Sequence, residues 1–197
     1  MATHKVTITM PEDVLRQARA EVAAGRATNL SAYVSEVVAE RAQHDRIDGI
    51  VDAILAETGG EATESERAVG QGRPRGLTLD SGALLALERG HREVALLLRE
   101  ALDGGCVAVP SGVLAQSWRG GARQARIGAL IGDRRVQVPA LDREAALGIG
   151  RLLAATGSSD VVDGQVVLVA TARGDIVVTS DASDVHRLAP ALRVVEV

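Results

Sequence analysis

The sequence predicts an α/β domain with a parallel sheet flanked by helices, preceded by a small strand–helix–helix module and a helical linker. Three observations predict it. Short β-branched apolar runs recur from Leu77 onward, amphipathic helical stretches lie between them, and the segment before residue 60 holds one strand-like run followed only by helices. Strands alternating with helices argue for a parallel sheet. The expected boundaries are 1–43 for the small module, 44–76 for a helical and extended tail, and 77–197 for the α/β domain.

Taken in order, His4–Met10 alternates polar and apolar residues and reads as a half-buried strand. Pro11 ends it and can open a helix, with Glu12 and Asp13 at the dipole-favoured end. Leu15, Ala18 and Val22 then recur at helical spacing as far as Gly25. Thr28, Asn29 and Ser31 offer caps for a second helix whose apolar face is Leu30, Val34, Val37 and Val38. A third stretch, Ile47, Ile50, Val51, Ile54 and Leu55, either continues that helix or breaks from it near Asp45. Residues 57–76 lose periodicity and have linker composition, or order only against a partner. Five strands are expected at Leu77–Leu79, Val107–Val109, Val136–Val138, Ile176–Val178 and Val194–Val195, with helices over 91–103, 142–155 and 161–173.

Composition narrows the function classes. Of 197 residues 46% are apolar, enough for a core, but only 1% are aromatic, so Ala, Val, Leu and Gly must pack it. The single cysteine, Cys106, excludes an internal disulfide and fits a reducing cytoplasm. No run approaches a membrane span and no secretory leader is apparent. Residues 1–70 carry seven basic and twelve acidic side chains, a net of −5, and the remainder carries +1. Neither part has the field of a general nucleic-acid binder, so any such contact must come from placed residues.

The small module cannot bury a core alone, and its one strand has unpaired edges. Two copies pairing into a ribbon is the physical expectation. With Val6, Ile8 and Met10 facing inward, Lys5, Thr7 and Thr9 face out together, where a two-stranded ribbon can enter a major groove. Ser31, at the start of the second helix, would meet a phosphate. Lys5-Val-Thr-Ile-Thr-Met-Pro-Glu-Asp-Val-Leu and Asn29-Leu-Ser-Ala-Tyr-Val-Ser-Glu-Val-Val resemble a ribbon–helix–helix antitoxin of the VapB type over roughly residues 3–43. That resemblance implies operator DNA as a partner and a homodimer or larger homo-oligomer.

In the α/β domain carboxylates stand at strand ends. Asp80 follows Leu77–Leu79, Asp163 opens a helix with Asp160 just before it, and Asp181 follows Ile176–Ser180 with Asp184 three residues on. Strand ends of a parallel sheet converge on one crevice. Several carboxylates there repel unless a hard cation neutralises them, and oxygen ligands suit Mg²⁺ or Mn²⁺. Bound metal activates water and clamps a phosphodiester, which is nuclease chemistry. The alternative is that single Asp residues, Asp160 and Asp184 above all, only cap helices.

Thr78-Leu-Asp-Ser-Gly-Ala-Leu-Leu-Ala-Leu-Glu-Arg-Gly, Val109-Pro-Ser-Gly-Val-Leu-Ala-Gln-Ser-Trp-Arg-Gly-Gly, Ser159-Asp-Val-Val-Asp and Val178-Thr-Ser-Asp resemble a PIN-domain toxin of the VapC type over 77–197. The resemblance implies a Mg²⁺- or Mn²⁺-dependent endoribonuclease acting on RNA. Asp80, Asp163 and Asp181 fall on its metal positions, with Asp160 and Asp184 as secondary candidates and Ser81 placed to orient the site. Gln116 departs, since the family pattern has an acid there. An amide keeps an oxygen ligand but loses a charge and a base, so weak or absent catalysis is expected. Trp118, Arg119 and His186 carry weaker signals, for packing or surface contact.

Between the modules, the Ile47–Leu55 stripe suits a groove on the ribonuclease domain. In the resembled two-gene pairs the antitoxin tail wraps the toxin, and here Arg67, Arg73 or Arg75 would pair with the crevice carboxylates. Two readings follow: a self-inhibited ribonuclease with autoregulatory DNA binding, or an inactive PIN domain acting as an oligomerisation and co-repressor module.

Overall fold

The computed structural model describes residues 4, 6–64, 66, 76–104 and 107–197. Cys106, Lys5, Arg67, Arg73 and Arg75, to which the sequence assigned roles, lie outside the described residues. The chain divides into two compact units, Met1–Ala42 and Gln43–Val197.

In the first unit, Pro11 stands just ahead of helix α1, Glu12–Ala23, as its N-cap rather than its first residue. Ala18 is buried, as the helical spacing predicts. Helix α2, Leu30–Glu57, begins within this unit. Of the three polar residues offered as its cap, Asn29 does the work: its Oδ1 accepts from Ala32 N at 2.9 Å.

The expected first strand is not formed. Residues 6–10 have no ladder, and Val6 and Ile8 are 75% and 55% exposed in the single chain. The reason is physical. A strand exists by its pairing, and this segment has no second strand within its own unit to pair with among the described residues.

In the second unit, α2 does not break near Asp45. From Gln43 it continues as one helix, and Ile47, Val51, Ile54 and Leu55 join the hydrophobic core of that unit. Their spacing of four, three and one places them on one face of a 3.6-residue period. This stretch is core rather than linker. Gly60, Glu61, Thr63 and Glu66 are also tied down. Arg92 donates to Gly60 O at 2.9 Å, to Glu61 O at 3.1 Å and to Glu66 Oε1 at 2.9 Å. Thr63 and Glu66 exchange backbone and side-chain hydrogen bonds at 2.7 and 3.3 Å, a capping box. The Arg92 bond, followed by those from Thr63, lowers the Glu66 carboxyl to about 2.

The α/β elements then follow in order: β1 Leu77–Leu79, α3 Ser81–Glu88, α4 Arg92–Asp103, β2 Val107–Ala108, α5 Ser111–Ser117, α6 Ala125–Gly132, β3 Val136–Gln137, α7 Arg143–Thr156, α8 Val161–Arg173, β4 Ile176–Thr179, α9 Ala182–Leu188 and β5 Val194–Glu196. The five strands form one all-parallel sheet in the order β3-β2-β1-β4-β5, flanked by helices. All five expected strands are present, within a residue or so at each end. The strands are buried runs because helices cover the sheet, which is why they read as apolar rather than alternating.

Several buried polar residues of this unit are paired. Thr78 Oγ1 donates to Asp175 Oδ2 at 2.8 Å, and Arg173 Nε donates to the same oxygen at 2.6 Å. Asp133, whose side chain has no exposure, accepts from Arg135 Nε at 3.0 Å and Nη2 at 2.9 Å. The same Nη2 reaches Asp48 Oδ1 on α2 at 2.8 Å. Burial pushes the Asp133 carboxyl up, but the hydrogen bonds and charge of Arg135 outweigh it and hold it below its ordinary value. Among the described residues no single helix is long and apolar enough to cross a membrane. The pair α7 and α8 reaches that length and apolarity only when joined, and it is bent by 107°.

Candidate functional site

Strand order decides where the carboxylates meet. The chain starts at the central β1, moves outward to β2 and β3, then returns to β4 on the other side of β1. Adjacent parallel strands whose connections leave in opposite directions open a crevice at their C-terminal ends. Leu79 pairs with Val178 in register, so Asp80 emerges beside Thr179.

Asp80 is the N-cap of α3. Its Oδ1 accepts from Ser81 N at 2.6 Å and Ser81 Oγ at 3.2 Å, and its Oδ2 accepts from Thr179 Oγ1 at 2.8 Å. Thr179 Oγ1 in turn accepts from Asp181 N at 3.1 Å. One buried hydroxyl therefore bridges the two strand ends. The first turn of α3 also approaches the end of β4 closely at Gly82, where a Cβ would come within 2.7 Å of Ser180 N. Only glycine fits that contact.

Asp181 caps α9, accepting from Ser183 Oγ at 2.6 Å, Ser183 N at 3.1 Å and Asp184 N at 3.3 Å. The Ser183 hydroxyl, then the Asp184 amide, hold its carboxyl below the usual carboxylate range. Asp184 is not a cap. It lies in the first turn of α9 and pairs with Arg187 Nη2 at 2.6 Å. Asp160 does cap α8, accepting from Val162 N at 2.8 Å and Asp163 N at 3.0 Å.

Asp163 is the perturbed member. Burial first, then the charges of Asp160, Asp80 and Asp184, push its carboxyl up to about 6 against the opposing charge of Arg187. Asp80, Asp160 and Asp184 thus act on a common point, while Asp181 joins them through Thr179. Among the described residues, however, no group of three or more His, Cys, Asp or Glu side chains is drawn together closely enough to hold a metal ion. Asp80 and Asp181 spend oxygens on caps and hydroxyls.

Gln116 is exposed in the last turn of α5. That helix packs against α3 and α8, the helices that begin at Asp80 and carry Asp163. Its position is fixed by Gln165, a buried amide the sequence reading missed. Gln165 Oε1 accepts from Gly112 N at 2.8 Å, while Nε2 donates to Ser111 Oγ and Pro139 O, each at 3.2 Å. A lone amide inside the apolar run Val161–Val169 was the available signal. Thr179 and Arg187 were also missed as contributors. Trp118 is 37% exposed with its ring against Gly128, and His186 is exposed.

In the first unit Thr7 and Thr9 are exposed on the unpaired segment, and Ser31 is exposed in the first turn of α2. The structure forms no ribbon face from them. No protein-family model matches this chain, and no curated protein matches it in sequence.

Proposed function

We propose that the second unit is a PIN-like endoribonuclease dependent on Mg²⁺ or Mn²⁺, and that the first is a ribbon–helix–helix module binding operator DNA. Together they make a toxin–antitoxin pair in one chain, acting on cytoplasmic RNA. The observation that carries this reading is Asp163, held at about 6 by burial and by Asp160, Asp80 and Asp184. Carboxylates that raise one another's affinity for protons also favour a metal cation.

The donor set is all oxygen, which suits a hard divalent ion, and Asp80, Asp163, Asp184 and Asp181 are the residues that would hold it. Such an ion, when bound, supplies Lewis acidity toward a phosphodiester. The chain's own residues orient the site. Thr179 and Ser81 fix the Asp80 carboxylate, and Asp160 fixes the first turn that carries Asp163. Gln116 offers an amide oxygen and no base, so turnover is slow.

Restraint is built into the chain. The burial of Ile47, Val51, Ile54 and Leu55, and the Arg92 clamp on Gly60, Glu61 and Glu66, support an antitoxin segment that stays docked while the chain is intact. Exposed Val6 and Ile8 on a segment lacking a ladder support pairing with a second copy. Lys5, Thr7 and Thr9 of such a ribbon would face DNA, with Ser31 at a phosphate.

A second reading is favoured by Gln116 and by the carboxylates not closing into a group of three. In it the second unit is catalytically inactive and serves oligomerisation and co-repression. Incubating the full chain with RNA, with Mn²⁺ or with chelator, separates the two. Metal-dependent cleavage that Asp163→Asn abolishes supports the nuclease; an inert chain that still binds its own upstream DNA supports the second reading.

A further inference from the structure

The chain's only tryptophan is not in its core: Trp118 is 37% exposed, in a protein with no phenylalanine and one tyrosine. It opens the loop Trp118-Arg-Gly-Gly-Ala-Arg123, where every side chain larger than a methyl group is an indole or a guanidinium. Gln124 staples this loop shut. Its Oε1 accepts from Arg119 N at 2.6 Å, and its Nε2 donates to Ser117 O at 2.7 Å. Gly120 and Gly121 make the turn at φ of 75° and 90°, with open space where their side chains would be. Trp118, Arg119 and Arg123 are all exposed on it.

The two cations have no carboxylate. Arg119 Nη1 donates to the carbonyls of Trp118 and Ala115, at 2.8 and 3.3 Å, and Arg123 has no partner among the described residues. From 104 through 132 the sequence holds three arginines and no acid. The third, Arg126, is structural: its Nη1 donates to Leu87 O and Glu88 O at 3.3 and 3.0 Å, while Glu88 Oε1 accepts from Ile127 N at 2.7 Å. Those bonds anchor the far side of the loop to the C-terminal end of α3, about 12 Å along the helix from its start at Asp80.

An indole beside unpaired guanidiniums on a closed loop matches one nucleotide of a single strand. The base stacks on the ring and the flanking phosphates meet the cations. Bases in a duplex are already stacked on one another and offer no free face. An acidic peptide would use the arginines and leave the indole idle. We propose that Trp118, Arg119 and Arg123 form a platform for single-stranded nucleic acid, separate from the carboxylate crevice and needing no metal. That the strand is RNA rests on the ribonuclease reading above; the platform itself does not.

The test titrates the full chain, with chelator present, against a labelled single-stranded RNA oligonucleotide of mixed sequence. Because Trp118 is the sole tryptophan, its emission reports stacking directly. RNA is expected to quench it while raising the anisotropy of the label. Trp118→Leu should weaken binding about tenfold by anisotropy. Arg123→Ala should weaken it about fivefold and reduce the salt slope by about one, with Arg123→Lys near the parent. Both Arg123 variants should keep the parent's far-ultraviolet circular dichroism, since that side chain has no partner to lose. Quenching by single-stranded DNA as well assigns the platform to single strands at large, and quenching by RNA alone assigns it to RNA; either supports it. Binding without quenching, equal quenching by duplex RNA, equal quenching by polyglutamate, or parent-like binding by Arg123→Ala overturns it. A platform that passes in a chain unable to cleave RNA with Mn²⁺ sinks the ribonuclease reading alone. Mn²⁺-dependent cleavage by a chain whose Trp118 emission ignores RNA sinks the platform alone.

Discussion

Thr179 Oγ1 donates a 2.8 Å hydrogen bond to Asp80 Oδ2, joining the ends of β4 and β1 across 99 residues of sequence. The hydroxyl is buried, and it also accepts the Asp181 amide. A hydrogen bond to a charged group contributes about 1.5–3 kcal/mol. Thr179→Val, close in shape but lacking the hydroxyl, should therefore lower unfolding stability by about 2 kcal/mol in urea titration. Thr179→Ser should retain most of it. Equal midpoints for Val and the parent would remove Thr179 from the bridge.

Asp163 gives a pH test with a definite sign. Its carboxyl is raised from 3.8 to about 6 in the folded chain, so the native state binds the extra proton. The group is neutral and costs nothing below about pH 4; its penalty grows as pH rises and is complete above about 6. Asp163→Asn should therefore stabilise the metal-free protein at pH 7.5 and not at pH 4. With partial exposure screening the charge, the gain is about 1 kcal/mol, or a few degrees in melting temperature. A gain of the same size at both pH values would contradict the charge origin.

Helix α2 beyond Gln43 should behave as core. Ile54 is 1% exposed, so Ile54→Ala should cost about 2–5 kcal/mol. A chain shortened to begin at residue 77 should lose cooperative melting and bind a hydrophobic dye, because the surface under Ile47, Val51 and Ile54 would be bare. A chain beginning at Gln43 should still melt cooperatively. Cooperative melting of the shorter form would show that the helix is dispensable.

Asp133 and Arg135 form the buried ion pair that also reaches Asp48. Arg135→Met leaves a carboxylate with no side-chain exposure uncompensated, at a cost of about 3–5 kcal/mol by denaturant titration. Because the folded Asp133 carboxyl lies below its ordinary 3.8, its contribution is present above that pH and disappears as pH falls through the lowered value. Acid unfolding should shift upward in pH when Arg135 is replaced.

Gln116→Glu restores a carboxylate to the exposed end of α5. In the proposed ribonuclease it should raise Mn²⁺-dependent RNA cleavage by about tenfold or more, since an ionisable group replaces an amide. Unchanged cleavage would mean that the amide is not what limits turnover.

Local signals carried far in the sequence. The apolar runs marked all five strands, Asp160 before Val161 marked a helix start, and Pro11 marked the end of an extended lead. Capping and periodicity act between residues within about four positions, so neighbours encode them. Carboxylates at strand ends were visible for the same reason. What neighbours cannot encode is which strand lies beside which. The order β3-β2-β1-β4-β5 sets Asp80 against Thr179, gathers the charges that perturb Asp163, and ties Thr78 to Asp175.

Two further outcomes depended on partners in space. The apolar stripe Ile47–Leu55 suited a groove on the α/β domain, and the structure packs it into the core of the second unit. The alternating run before Pro11 has a strand's pattern but no ladder partner in its own unit among the described residues, and it stays exposed. Sequence by itself determined the elements and the chemical types at their ends. Tertiary structure decided which of them meet, because pairing across about a hundred residues is set by packing and topology rather than by local preference.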